Sequence, residues 1–299
     1  MRRFAFVGGV AALLLAAAFW LLTMPERADP SMILNGPADV ENGRLVFYAG
    51  GCASCHATPN QPNELLLGGG LNLPSPYGAF VAPNISPDPK AGIGNWTEEQ
   101  FVTAVTKGTS PEGRHLYPAF PYTTYASAKP KDLHDLFAFM KTLPASSDVQ
   151  PGHEIPLDFP IVRRGVGLWK LMNYEHRAPM DDSGDPVARG RYLIESLGHC
   201  AECHSPRDWT GGIVDSRRFA GGPNPNGKGK VPNITPGKGG IGEWNEEDIA
   251  FSLQDGSTPD GDVLGGEMAR VVKNTAHLPD GDRQAMAAYL KTLTPIDSE

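Results

Sequence analysis

Two short segments hold every cysteine in the chain: Cys52-Ala53-Ser54-Cys55-His56 and Cys200-Ala201-Glu202-Cys203-His204. Two thiols three positions apart can each form a thioether with one of the two vinyl groups of a porphyrin. The residue that follows then lies under the ring, where a histidine supplies an imidazole nitrogen to the iron. The spacing makes Cys52, Cys55, Cys200 and Cys203 candidate attachment points for two covalently bound haem c groups, with His56 and His204 as candidate iron ligands. Cysteine pairs can also form disulfides or hold zinc. Against both, each pair runs straight into a histidine and the pattern occurs twice.

Such sites need a compartment and a scaffold. Arg2 and Arg3 precede an apolar run from Phe4 to Met24, followed by Glu26, Arg27 and Asp29. A charged start and a long apolar stretch read as an export signal. As a helix the run would be ~31 Å long, close to the ~30 Å of a bilayer core. Residues 1–30 are therefore expected to be a signal anchor or signal peptide. The uncleaved anchor is favoured, because Leu22-Thr23-Met24 makes a poor cleavage site. The arginines would stay in the cytoplasm and the remainder outside. The expected location is the bacterial periplasm, with attachment to the inner membrane through the N-terminal helix.

The rest of the chain repeats itself. Cys52 matches Cys200 and Gly113 matches Gly261 at a shift of 148; Pro83-Asn84-Ile85 matches Pro232-Asn233-Ile234 at 149; Lys141-Thr142-Leu143 matches Lys291-Thr292-Leu293 at 150. Gly94-Asn95-Trp96 likewise matches Gly242-Glu243-Trp244. Anchors in one order with so little drift indicate a duplicated unit. The expected domains are 37–147 and 186–299. A proline-rich connector over 148–185 carries Trp169 as an interdomain wedge.

Each unit is expected to hold three helices. A short one precedes each Cys-x-x-Cys-His motif, Asn42 to Tyr48 and Val187 to Ser196, with a Gly-Arg pair in each. A middle helix follows each tryptophan; Thr97 with Gln100 reads as a capping box and Asn245 as an N-cap. The last helix carries Leu133, Leu136, Phe137, Met140 and Leu143 in one unit, and Met286, Tyr289, Leu290 and Leu293 in the other, at helical spacing. Met140 and Met286 therefore read as packing residues. Asn84 and Asn233 sit in matching turns, and Trp96 and Trp244 offer indole faces and N–H donors. Asn-x-Ser/Thr sequons at Asn84, Asn95 and Asn233 carry little weight inside such a repeat.

Three helices around a Gly/Pro-rich crevice resemble the class I cytochrome c fold. The resemblance implies an all-α chain of two tandem class I cytochrome c domains after the N-terminal transmembrane or signal helix. The whole chain is similar to the membrane-anchored di-haem cytochrome subunits that accept electrons from periplasmic dehydrogenases. Gly113-Arg114-His115-Leu116-Tyr117-Pro118-Ala119-Phe120-Pro121-Tyr122 and Gly266-Glu267-Met268 carry that similarity. It implies Met268, in a Gly-rich loop, as the distal ligand of the second haem. The first haem has no such residue. Phe120 holds the position of Met268 by the repeat, and Ala128 the position expected from related first domains. His115, Met172 and Met180 are further candidates, and an open iron is an alternative.

These features imply a relay of electrons from a periplasmic dehydrogenase toward a cytochrome, quinone or oxidase. The net charge of −8 and pI near 5.5 argue against nucleic acid as a partner. No acid–base pair or nucleophile constellation stands out beyond the motifs, so the chain reads as an electron carrier and not an enzyme. A di-haem peroxidase using an open first haem is the competing reading. A thiosulfate-oxidising enzyme would need a free cysteine as axial ligand, and none remains.

Overall fold

A computed structural model describes residues 2–156 and 158–298; Met1 and Glu299, the outer ends of the expected ranges, lie outside the described residues, as does Leu157. In chain order the elements are α1 (Arg2–Leu22), α2 (Val40–Ala49), α3 (Cys52–His56), the strands β1 (Asn72–Ser75) and β2 (Gly78–Val81), α4 (Glu98–Lys107), α5 (Tyr122–Tyr125) and α6 (Pro130–Lys141). Two helices of the connector follow, α7 (Pro160–Arg164) and α8 (Val166–Asn173). Then come α9 (Pro186–Tyr192), α10 (Ala201–His204), β3 (Gly222–Pro223), β4 (Lys230–Val231), α11 (Glu246–Asp255), α12 (Gly266–Thr275) and α13 (Asp280–Thr292). The chain is mostly helical; β1–β2 and β3–β4 add one small antiparallel hairpin in each Gly/Pro-rich stretch.

The apolar run near the N-terminus forms α1, with Phe4, Leu13 and Leu15 at 85, 72 and 71% exposure. Among the described residues, no helix is long and apolar enough to cross a membrane. The foot of α1 is firmly held. Arg164 donates to the Trp20 carbonyl at 2.7 Å and to Thr23 Oγ1 at 2.9 Å, and its guanidinium lies 4.1 Å from the Trp20 ring centroid. A cation on the last carbonyls suits the negative end of a helix.

Both halves are built on one helix crossing. Asp39 caps α2 by accepting from the N–H groups of Glu41 and Asn42, and Asp185 caps α9 by accepting from Ala188 N–H. These helices pack on α6 and α13. The contact is backbone to backbone: a Cβ on Gly43 would overlap the Asp135 carbonyl, and one on Gly190 would overlap the Ala285 carbonyl. Only glycine allows that approach. Around the first crossing lie Phe47, Val102, Leu133 and Met140, and around the second Leu193, Ile194, Met286 and Leu290, all under 9% exposed. Met140 and Met286 are thus core residues, as their helical spacing predicts.

The middle helices start as the sequence indicates. Thr97 and Gln100 form a reciprocal capping box on α4, and Asn245 pairs in the same way with Asp248 on α11. Each ends at a left-handed glycine, Gly108 at φ +57° and Gly256 at φ +87°. Lys141 then donates to the carbonyls of Ile93 and Gly94, and Lys291 to those of Gly242 and Trp244, pinning each last helix to the loop before the middle one.

The connector lies against both halves. Trp169 Nε1 donates to the Thr210 carbonyl at 3.0 Å while its ring meets Tyr122 edge-on at 6.5 Å. Lys170 Nζ donates to the carbonyls of Lys107 and Gly108 at 2.5 and 2.9 Å.

Candidate cofactor-attachment sites

The first motif forms the single turn α3, and the second forms α10 with Cys200 as its N-cap. Residues i and i+3 share a helical face, so each turn presents its two thiols together. All four cysteines are free: Cys52, Cys55 and Cys200 are half-buried and Cys203 is exposed. The surrounding protein nevertheless pushes the Cys52 and Cys200 thiols up to about 12. Cys52 and Cys200 thus sit in a walled recess that solvent still reaches.

The histidines are oriented alike. His56 Nδ1 lies 2.8 Å from the Pro83 carbonyl oxygen, and His204 Nδ1 lies 2.8 Å from that of Pro232. A carbonyl can only accept, so Nδ1 carries the proton and Nε2 keeps its lone pair. Burial lowers both pKa values, which favours the neutral ring. An imidazole with Nδ1–H held by a carbonyl and Nε2 unprotonated is the form that binds a metal.

The loops supplying these carbonyls are fixed by matching asparagines. Asn84 Oδ1 accepts from Ser86 N–H and Asn233 Oδ1 from Thr235 N–H, both at 2.8 Å. Asn84 Nδ2 donates to the Ser146 carbonyl at 2.7 Å, and Asn233 Nδ2 to the Ile296 carbonyl at 2.6 Å. Gly69 N–H returns to the His56 carbonyl and Gly221 N–H to the His204 carbonyl, at 2.9 and 2.8 Å.

Free paired thiols and a lone-pair-bearing imidazole are the donor set for covalent haem. Among the described residues, no group of three or more His, Cys, Asp or Glu is placed to hold a bare metal ion.

Met268 lies half-buried on the first turn of α12, not in a loop. Gly266 takes the left-handed conformation, at φ +59°, and starts the helix. His115 touches the foot of α1 through one ring nitrogen, and its Nδ1 has no hydrogen-bond partner among the described residues. It is buried, and its Nε2 lies 2.9 Å from the Thr23 carbonyl at the foot of α1. Met172 is 61% exposed on α8. Met180 is half-buried, with its N–H on the Ser127 carbonyl at 2.8 Å. Phe120 packs beside Tyr125, ring centroids 5.8 Å apart, and Ala128 is fully buried in the core.

Sequence reasoning missed the third residue of each motif. Ser54 Oγ accepts from Asn274 Nδ2 of α12 at 2.8 Å. Glu202 Oε1 accepts from the Thr124 hydroxyl of α5 at 2.9 Å, and its Oε2 pairs with Arg207. These positions are the variable ones between the cysteines, so the motif itself gives no signal for them.

Comparison with known proteins shows the family. Residues 40–144 match the cytochrome c family model. Over 99% of this chain and 100% of the relative, the sequence is 48% identical to a "Diheme cytochrome c-type" protein of Cereibacter sphaeroides. It is 33% identical to the fructose dehydrogenase cytochrome subunit of Gluconobacter japonicus, over 85% of this chain and 52% of that one. It is also 33% identical to the cytochrome c subunit of the quinone alcohol dehydrogenase of Gluconobacter oxydans, over 94% of this chain and 60% of that one. The chain thus spans between half and two thirds of these two dehydrogenase subunits. Full-length similarity to the first relative, with both attachment motifs intact, shows that the chain belongs to the di-haem c-type cytochromes.

Proposed function

We propose that this protein relays electrons from a periplasmic dehydrogenase toward a downstream cytochrome, quinone or oxidase. The observation that carries the reading is the paired geometry of the motifs: free Cys-x-x-Cys thiols beside a histidine whose Nδ1 is held by a carbonyl, twice in one chain. Two covalently bound haem c groups supply the one-electron iron chemistry. The chain holds and orients them and limits access of solvent.

In this reading Cys52 and Cys55 form thioethers to one haem and Cys200 and Cys203 to the other. His56 and His204 ligate through Nε2, with the carbonyls of Pro83 and Pro232 fixing the ring planes. Met268 is the distal ligand of the second haem; a thioether opposite imidazole raises the reduction potential and closes the iron to outside ligands. The repeat and its matching contacts support two cytochrome c domains, 37–147 and 186–299, joined by the connector 148–185. Cytochrome subunits of fructose and alcohol dehydrogenases among the relatives support a dehydrogenase as donor.

The location is the periplasm, with α1 holding the chain to the inner membrane. Support comes from Arg2 and Arg3 ahead of exposed Phe4, Leu13 and Leu15. Deleting residues 2–22 and exporting the remainder through a heterologous signal is expected to move the cytochrome from the membrane to the soluble periplasmic fraction. An unchanged distribution would remove the anchor from the account.

Anaerobic reductive titration tests the carrier reading. The purified protein is expected to take up one electron per haem reversibly and to leave hydrogen peroxide unreduced when a small electron donor is present. Peroxide turnover at a physiological rate would favour an enzyme instead.

A further inference from the structure

The hairpin after the middle helix is built the same way in both halves. Ser110 N–H donates to the Arg114 carbonyl at 2.8 Å, and Thr258 N–H to the Asp262 carbonyl at 2.9 Å. Gly113 N–H returns to the Ser110 carbonyl and Gly261 N–H to the Thr258 carbonyl, at 2.9 and 3.0 Å. Leu116 N–H closes on the Gly108 carbonyl and Leu264 N–H on the Gly256 carbonyl, at 2.8 and 2.7 Å. Every pair is related by the same shift of 148 residues. Four residues beyond the closing leucine stand Phe120 in one half and Met268 in the other. The backbone equivalence runs as far as Leu116 and Leu264; beyond them Phe120 precedes α5 while Met268 lies in the first turn of α12, so those two residues are matched by the shift of 148 in sequence.

Phe120 is also tied to the first attachment motif. Its ring packs on Tyr125, and the Tyr125 hydroxyl donates to the Gly50 carbonyl at 2.7 Å. Gly50 and Gly51 lead directly into Cys52. A phenyl ring has no lone pair to offer iron. Among the other candidates in the described residues, His115 is buried with Nε2 on the Thr23 carbonyl and Nδ1 without a hydrogen-bond partner, Met140 is buried in the helix crossing, and Met172 is exposed on the connector. Met24 is exposed, whereas Met32 and Met180 pack against the core; the experiment addresses both, with His115.

We propose that the side of the first haem opposite His56 has no ligand from the protein, that Phe120 stands where a methionine would close it, and that this side binds small neutral diatomic molecules of the carbon monoxide class. The inference rests on the reading of Cys52, Cys55 and His56 as the first haem site.

The test is carbon monoxide titration of the reduced, purified holoprotein, with covalent haem counted on the same sample. Wild type is expected to bind carbon monoxide at half of its haem. Phe120→Met is expected to abolish that binding and to strengthen the far-red methionine band of the oxidised protein. Met268→Ala is expected to extend binding to all of the haem. Wild type with its full haem content and no carbon monoxide binding would overturn the proposal, and recovery of binding in His115→Ala, Met32→Ala or Met180→Ala would then name the ligand. Half-occupancy that Met268→Ala leaves unchanged would place the ligand at the second haem and also overturn it. Fewer than two haems per chain would instead overturn the underlying site assignment. If Phe120→Met does not fold, wild type and Met268→Ala still decide the matter.

Discussion

Asn274 Nδ2 donates to Ser54 Oγ at 2.8 Å, so the helix that carries Met268 also grips the first attachment motif. The relationship has a counterpart. Glu202, at the same position of the second motif, accepts from Thr124 in the first half at 2.9 Å. Each motif is held by the other half of the chain. Beside these bonds Tyr48 stacks on His277 with centroids 3.9 Å apart, and His277 meets Glu64 at 3.3 Å.

The two halves are therefore expected to be coupled through these polar bonds. Asn274→Ala should destabilise the holoprotein by about 1–2 kcal/mol, the usual cost of losing a partly buried side-chain hydrogen bond. In a double-mutant cycle with Ser54→Ala the coupling energy should be about 1 kcal/mol. Urea unfolding followed by haem absorbance measures both; additive effects would show that the bond contributes nothing.

Gly43 and Gly190 should tolerate no side chain. An alanine methyl at either position must displace a carbonyl of the facing helix, Asp135 or Ala285. Overpacking of this kind costs roughly 1–3 kcal/mol or more. Gly43→Ala and Gly190→Ala are each expected to lower the thermal midpoint well beyond a control such as Gly152→Ala, which meets nothing within 4 Å.

Lys170 introduces a pH dependence. Burial lowers its pKa to about 7, although Glu26 nearby opposes the shift. In the unfolded chain a lysine titrates near ~10.4. Between those values the unfolded chain binds more protons, so stability rises with pH. The cost of the buried charge is full below the folded value and gone above the unfolded one. Lys170→Met removes this dependence. The thermal midpoint of wild type minus that of Lys170→Met should be flat below about 7 and rise from there toward ~10.4. A flat difference throughout would contradict the assignment.

Asp135 works at the acid end. Burial alone would raise its carboxyl, but Lys131, Asn42 and the Asp39 N–H hold it below the usual range. Its contribution is present above the unfolded value near ~3.9 and is lost as pH falls through the folded one. Asp135→Asn is therefore expected to cost stability at neutral pH and to narrow the gap to wild type in acid, as read from thermal midpoints at both ends.

Local signals were legible in the sequence. The capping box of Thr97 and Gln100 and the helical stripes of Leu133, Leu136 and Met140 depend on near neighbours, and the structure contains both. The attachment motifs were legible because thioether chemistry fixes their spacing. What escaped was decided by distant partners. Nothing around His115 points to Thr23, 92 residues away, and nothing around Ser54 points to Asn274, 220 residues away. The Gly-Arg pairs were visible, but not that Gly43 and Gly190 form the helix crossings. Gly265-Gly266 read as loop, whereas Gly266 in a left-handed conformation launches α12 and places Met268 on its first turn.

The count of covalently held haem tests the central claim most directly. Purified protein extracted with acidified acetone, then assayed as the pyridine haemochrome, is expected to retain two haems per chain. Cys52→Ala with Cys55→Ala should retain one, and so should Cys200→Ala with Cys203→Ala. Haem that extracts into the solvent, or a wild-type count of one, would contradict the account.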